Sequence, residues 1–382
     1  MKNNQFIYFD NAAKTIPYDE VVEVFIHACK EYIANPSSIH ALGARNARLI
    51  EQSKNKILDL LKLKNHQLLF TSGATEANNL AIKGYALKFK NRGNHLITSE
   101  YEHPSVLEAF KQLEDEFGFE VTYLKPNIDG IIDKDNVISH IKNNTILVSL
   151  MAVNNEIGAI NPIEEIALEL NKFPKIAFHV DAAQAIGKLE KAINYTNVDL
   201  LTLSGHKIHG LVGVGALIKK KNINLLPLFS GGGQEFNLRS GTNDIAGILA
   251  FSKALEISIR DEKKHYEKVK TLSNYLLNYL KENEDIYELN TPKVINPYII
   301  NFSTKNKKSS VVVEALSNNN VMVSSTSACH SSREKESHVV ISIGKDEKIA
   351  HNTIRVSFAY YNEIEEVEDF INKLQKIMGE IR

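Results

Sequence analysis

The chain has 382 residues and nearly balanced charge, 45 Lys and Arg against 46 Asp and Glu, so nothing pulls it in bulk toward nucleic acid or an anionic membrane. Hydrophobic residues at 43% and charged residues at 24% exclude disorder and supply a sizeable core, on a length of two or three domains or one large α/β unit with a smaller one appended. Only two cysteines, Cys29 and Cys329, rule out a disulfide framework and favour a reduced, cytoplasmic setting.

Short apolar runs alternate with longer amphipathic segments. Strands are predicted at 67–71, 95–98, 119–123, 145–150, 176–180 and 198–203, with helices at 75–87, 104–116, 133–142 and 162–171. This alternation implies crossover connections and a mainly parallel sheet covered on both faces, the α/β class. Residues 246–284 read as one long helix or a broken pair, followed by a smaller α+β unit. The expected division is a large domain at 16–256 and a small one at 257–382 that also takes in 1–15. Residues 1–10 hold no apolar signal core, and the longest apolar stretch, at 146–153, is far short of the ~20 residues that span a bilayer.

Ligands of open α/β sheets sit beyond the carboxyl ends of the strands, and three motifs fall there. Ser72-Gly73-Ala74-Thr75-Glu76 joins a strand to a helix. Its small residues and exposed N–H groups suit a phosphate, although a plain turn capped by Thr75 is an equal reading. It lacks the Gly-Lys-Ser/Thr ending of a nucleotide P-loop. His179-Val180-Asp181-Ala182-Ala183-Gln184 ends a strand with an acid that needs a cationic partner, such as a protonated pyridine nitrogen. Ser204-Gly205-His206-Lys207 follows another buried run, and a lysine there is relieved by joining a carbonyl as a Schiff base. Together the three describe a site for pyridoxal phosphate: phosphate cradle, acid for the ring nitrogen, and anchoring lysine.

These motifs belong to a longer ordered set. It runs from Tyr8-Phe9-Asp10-Asn11-Ala12-Ala13 through Asn35-Pro36-Ser37-Ser38, Glu102-His103 and Val153-Asn154-Asn155-Glu156-Ile157-Gly158. It continues with Gly231-Gly232-Gly233-Gln234-Glu235, Arg239-Ser240-Gly241-Thr242, the segment Ser324 to Cys329, and Ile354-Arg355. The set resembles the cysteine desulfurases of the NifS/IscS type, in the class V aminotransferase branch of fold-type I pyridoxal-phosphate enzymes. The resemblance implies Lys207 as the cofactor-bearing lysine, Asp181 facing the pyridine nitrogen, and Gln184 donating to the ring hydroxyl. It implies phosphate contacts from Ala74, Thr75, Ser204 and His206, and a homodimer in which Thr242 reaches the phosphate of the other subunit's cofactor. His103 matches the histidine stacked on the ring, with a capping histidine as the plainer reading. Asn155 matches a contact beside the ring and substrate. Arg355 matches the clamp on the substrate carboxylate, a task suited to its planar fork.

Cys29 shares helical spacing with Val21, Phe25, Ala28 and Tyr32, which predicts a core position. Cys329 lies in a polar, aperiodic run beside His330, predicted to be a mobile surface loop, and matches the family's nucleophile. A zinc site from Cys329, His330 and His338 lacks a closed set of four ligands. The resemblance implies L-cysteine as substrate, alanine as product, a persulfide on Cys329, and a protein sulfur acceptor, either an iron–sulfur scaffold or a tRNA-thiolation enzyme. A selenocysteine lyase, a small aminotransferase and a silent scaffold subunit are the alternatives, the last disfavoured by the presence of both Lys207 and Asp181. Three departures stand out: Lys14 where a small or hydroxyl residue is usual, Leu211-Val212 in place of Pro-Lys, and Glu336 in place of Pro before Ser337-His338.

Overall fold

The computed structural model describes residues 6–325 and 336–380. The chain enters with a two-residue strand, β1 (Ile7–Tyr8), and passes to helices α1 (Asp19–Glu31) and α2 (Ala41–Leu60). The main sheet is built from β2 (His66–Thr71), β3 (His95–Ser99), β4 (Glu120–Leu124), β5 (Thr145–Met151), β6 (Ala177–Asp181), β7 (Leu200–Ser204) and β8 (Gly215–Lys220). Their order is β2-β8-β7-β6-β5-β3-β4. The neighbours from β3 to β7 pair in parallel, and β8 runs antiparallel between β7 and β2. Every residue of β5, β6 and β7 is buried, as expected for parallel strands covered on both faces. The sequence pattern placed six of these strands and left out β8. Only ten residues separate β7 from β8, too few for a helical crossover, so the strand returns antiparallel.

The segment after residue 244 forms two helices, Ile245–Arg260 and Glu262–Glu282, broken at Asp261. A smaller antiparallel sheet follows from β9 (Tyr287–Leu289), β10 (Ile299–Thr304), β12 (Ser324–Ser325) and β13 (Thr353–Ser357), while β11 (Val321–Met322) pairs in parallel with β1. One apolar core collects residues from Tyr18 to Ile257 together with Val339, Val340, Ile343 and Ala350. Another joins Ile7, Phe9 and Ala12 to residues between Tyr266 and Ile377. Phe9 meets Phe358 and Phe370 edge-on at 5.0 and 5.8 Å, which fixes the path of the N-terminal segment. Among the described residues, no helix is long and apolar enough to cross a membrane.

Cys29 is exposed, not in the core. The buried stripe of α1 runs through Val21 and Ala28. Ala28 lies within about 20° of Val21 around the helix, whereas Cys29 is turned by about 80°, past the edge of the covered face.

Two buried carboxyl groups shape the ground around the strand ends. After Gly233, the residues Glu235, Phe236 and Asn237 all take left-handed backbone angles, with φ of 48°, 59° and 61°. Such a run is costly for side-chain-bearing residues and persists only where its surroundings over-determine it. Glu235 supplies that restraint. Its carboxylate accepts from Lys54 Nζ and the Phe70 N–H at 3.1 Å and from Asn243 Nδ2 at 2.7 Å. Replacing Glu235 by Ala leaves the buried Lys54 with only the exposed Glu51, 3.2 Å away, and removes the acceptor of the Phe70 N–H, so the variant should unfold about 2 kcal/mol more easily than the parent in urea titration at fixed protein concentration.

Glu102 sits at the turn between β3 and α4 (Pro104–Phe117), fully buried. Ser99 Oγ donates to its Oε1 at 2.5 Å and the Met151 N–H at 3.0 Å, tying the turn to β5. Burial, reinforced by the nearby Asp181 charge, pushes this carboxyl up to about 8 against the two donors. The folded protein therefore keeps a proton that the unfolded chain releases near pH 4.3, and stability falls as pH rises between those values, by about 1.4 kcal/mol per unit from this group. Glu102→Gln cannot ionise. Its unfolding midpoint should decline less than the parent's between pH 5 and 8.

Candidate active site

Beyond the carboxyl ends of β6 and β7 lies a cavity of about 260 Å³. Its wall brings together Ala74, Thr75, His103, Asn155, Asp181, Gln184, Ser204, His206, Lys207 and Arg355, ten of the twelve residues singled out in the sequence. They come from points 281 residues apart, because each strand end and the N-terminal segment delivers its piece to the same edge of the sheet.

At one side the turn after β2 leads into α3 (Ala74–Lys88). Gly73, not Thr75, is the N-cap, and its φ of 155° with ψ of −178° is a conformation open only to glycine. A Cβ at Gly215 would lie 2.7 Å from the Gly73 Cα, so β8 needs glycine to pass against this turn. Glu76 of the first helical turn accepts from the Ser72 N–H at 2.8 Å and from Arg239 Nε at 2.8 Å, fixing the turn to the segment that follows the left-handed run. Ser204 Oγ and His206 Nδ1 are 3.2 Å apart. Burial, with Lys207, Lys188, Lys14 and His103 nearby, presses the His206 imidazole down to about 4, so it is neutral at pH 7.

Lys207 closes the short turn Gly205–Lys207 after β7. Its Nζ donates to the carbonyls of Ala12 and Ala13 at 2.6 and 2.7 Å. Gln184 Nε2 donates to the same Ala12 carbonyl at 2.9 Å, and Lys188 Nζ donates to Gln184 Oε1 at 3.1 Å. Lys188 is fully enclosed, and burial followed by the Lys207 charge lowers it to about 7. Asp181, 7% exposed at the end of β6, accepts from Asn78 Nδ2 at 2.8 Å and from the Ala183 N–H at 3.0 Å. His103 caps α4, its Nδ1 accepting from the Ser105 N–H, while its ring also lines the cavity. The capping and cavity-lining readings of this residue hold together.

Arg355 is buried on β13 rather than set in a surface salt bridge. Its Nη2 donates to Asp10 Oδ1 at 2.9 Å and its Nη1 to the Asn155 carbonyl at 3.0 Å. Asp10 Oδ1 also accepts from Ser324 Oγ at 2.7 Å. Of the departures, Lys14 is exposed and acts on His206 by its charge, and Val212 lines the cavity while 63% exposed. Glu336 pairs with His351 at 2.8 Å, and Ser337 Oγ donates to Glu156 Oε2 at 2.5 Å. His338, a member of the zinc alternative, donates from Nε2 to the Glu102 carbonyl.

These residues fit pyridoxal phosphate. The glycine turn and the start of α3 leave open space where a side chain at Gly73 would project, beside Ser204 and His206. The lining carries Lys207, His103, His206 and Arg355, against Asp181 and a Glu76 already engaged by Arg239. The cations Lys207 and Arg355, with the hydroxyl of Ser204 and the imidazole of His206 beside them, suit an anionic guest, and the buried Asp181 carboxylate facing them suits a cationic ring nitrogen.

Thr242 stays out of this cavity, exposed on the segment beyond Arg239. Cys329 and its predicted loop lie outside the described residues. Asp10, Asn78, Ser105 and Lys188 join the site without a motif that marks their role in the sequence. Asp10 and Lys188 were legible in principle as charges inside otherwise apolar or small-residue stretches. Asn78 and Ser105 carry no comparable signal, because short polar residues near helix starts are ordinary.

The family model described as aminotransferase class-V matches residues 7–370. A "NifS/IcsS protein homolog" of Lactobacillus delbrueckii subsp. bulgaricus is 38% identical over 373 residues, covering 97% of each chain. "Cysteine desulfurase IscS" of Dictyoglomus turgidum is 38% identical over 378 residues, covering 98% of this chain and 95% of that one. A solved structure described as a NifS-like protein superposes with a TM-score of 0.91 at 32% identity, covering 99% of this chain and all of the other. A near-complete match in sequence and fold, on a cavity with this lining, means that the chain belongs to the class-V aminotransferase family, on the NifS/IscS cysteine desulfurase side of it.

Proposed function

We propose that this chain is a pyridoxal-phosphate-dependent cysteine desulfurase, converting L-cysteine to L-alanine and placing the sulfur on Cys329 as a persulfide. One observation carries the reading: a single cavity of about 260 Å³ gathers Lys207, Asp181, His103 and Arg355. Bound there, the cofactor supplies an electron sink for the α-carbon of the amino acid.

The protein's own groups do the rest. Lys207 is the amine that holds the cofactor and, once released, the base that moves the α-proton; its Nζ is already oriented by two carbonyls. Asp181 stays in place through Asn78 and the Ala183 N–H and keeps the ring nitrogen cationic. Gln184 has one Nε2 hydrogen committed to Ala12 and offers the other to the ring hydroxyl. Ala74, Thr75, Ser204 and His206 hold the phosphate, Asn155 lies beside the ring, and Arg355, steadied by Asp10, receives the substrate carboxylate. The Cys329 thiolate attacks the substrate sulfur. The carbon–sulfur bond breaks, its electron pair stays with the carbon that becomes the alanine methyl group, and a sulfur–sulfur bond forms on Cys329. No outside oxidant or reductant is required.

The same reading takes the protein as a cytoplasmic homodimer, with Thr242 serving the other subunit's site, and with residues 16–256 and 257–382 plus 1–15 as its two domains. The persulfide passes to a protein acceptor, an iron–sulfur scaffold or a tRNA-thiolation enzyme. The resemblance and the placement of Thr242 outside its own cavity support this.

The test uses the full-length protein with pyridoxal phosphate and L-cysteine. Lys207→Ala should lose the absorption band of bound cofactor and alanine formation by at least ~10²-fold. Cys329→Ser should keep the band and lose persulfide. Alanine formation by wild type without protein-bound persulfide, or sulfur transfer surviving in Cys329→Ser, would overturn the assignment.

A further inference from the structure

A second set of buried polar groups joins two walls of the cavity. Asn78, on α3, is fully buried, and its Nδ2 lies 2.8 Å from Asp181 Oδ2 and 2.9 Å from Ser105 Oγ. Ser105 Oγ is in turn 2.8 Å from His103 Nδ1. The direction of every hydrogen in this chain follows from its two ends. The Ser105 backbone N–H points at His103 Nδ1 from 3.1 Å, so that nitrogen is an acceptor. The Ser105 hydroxyl must then donate to Nδ1, since two acceptors cannot bond each other. With its own hydrogen spent, Ser105 Oγ accepts from Asn78. The Asn78 amide cannot be turned over, because its oxygen would face the Asp181 carboxylate. Its Oδ1 is buried and has no hydrogen-bond partner among the described residues, so the side chain forgoes one bond there to keep both donors aimed this way.

We propose that Asn78 and Ser105 are positioning residues for His103: the one-way chain from Asp181 through Asn78 and Ser105 holds the imidazole with its hydrogen on Nε2. The ring thereby presents a hydrogen-bond donor at Nε2 rather than a lone pair, and its plane is tied to the carboxylate on β6. The hydroxyl is the governing contact, being shorter than the backbone one. This inference deepens the desulfurase reading and rests on it for the identity of the site, but the tautomer itself is independent of what the cavity binds.

The direct test is ¹⁵N NMR of histidine-labelled full-length protein as isolated, at neutral pH, with His103 assigned by its loss in His103→Gln. Nδ1 should resonate as a non-protonated imidazole nitrogen and Nε2 as a protonated one. Ser105→Ala should bring the two resonances toward each other, and Ser105→Thr, which keeps the hydroxyl, should restore them. In turnover, Ser105→Ala should lower kcat by about five- to tenfold with KM unchanged. A hydrogen on Nδ1 in the parent, or resonances unmoved in Ser105→Ala, would overturn the proposal. Absence of desulfurase activity with the tautomer as described would overturn the functional reading alone.

Discussion

The backbone carbonyl of Ala12 receives Lys207 Nζ and Gln184 Nε2 together, and much of the site depends on that oxygen being where it is. It stands on a segment that belongs to another core: Ile7, Phe9 and Ala12 pack with the small sheet, while Lys207 and Gln184 hang from the main one. Further bonds brace the crossing. Thr15 Oγ1 donates to the His206 carbonyl at 2.8 Å and accepts from the His209 N–H, and the Ala12 N–H donates to Ser357 Oγ. A shift of one core against the other would therefore move the lysine, the glutamine and, through Asp10, the arginine at once. The amine and the carboxylate clamp are positioned relative to each other by ten residues of N-terminal chain.

The same logic explains which charges the interior tolerates. Glu102 and Lys188 are both enclosed, each near a centre of its own sign, Asp181 and Lys207 respectively, and burial drives each toward its neutral form. A neutral carboxyl at Glu102 adds no second negative charge beside Asp181. Lowering Lys188 to about 7 weakens the cationic repulsion between it and Lys207. His206 in the cavity wall and the fully buried His179 on β6 are likewise held neutral, at about 4. Glu76 is held in its charged form instead, its carboxyl kept below the usual range by hydrogen bonds from Arg239 and Ser72 that outweigh its burial.

Six strands of the main sheet and the motifs at their ends were legible in the sequence because the strands are short, mostly apolar runs followed by turns or helices. The site residues were legible for the same reason: Asp181 and Lys207 are ionisable groups set directly against such runs. What could not be read were features decided by third parties. β8 is a strand by virtue of a short connection, and Cys29 is exposed because α1 is covered over less than its whole apolar stripe. The left-handed run at 235–237 depends on Lys54 and Phe70, more than 160 residues away. No local pattern records that Arg355 would meet Asp10, 345 residues earlier.

Hydrogen direction adds a constraint that residue types alone do not carry. Asp181 could be held by any two donors, and Asn78 is one that has a second hydrogen to spend. Because that hydrogen goes to Ser105, the electrostatic state of the carboxylate and the orientation of His103 are parts of one network. Serine at 105 extends the network by one hydroxyl; alanine in its place would end it at Asn78 and leave the imidazole with the backbone donor alone. A cavity whose acid and imidazole are joined in this way has its hydrogen-bond donors and acceptors set before any ligand arrives, with His103 in its wall and the Asp181 oxygens both engaged. Catalysis then has less reorganisation to perform at the moment a proton is needed, since the donors already point where charge will change.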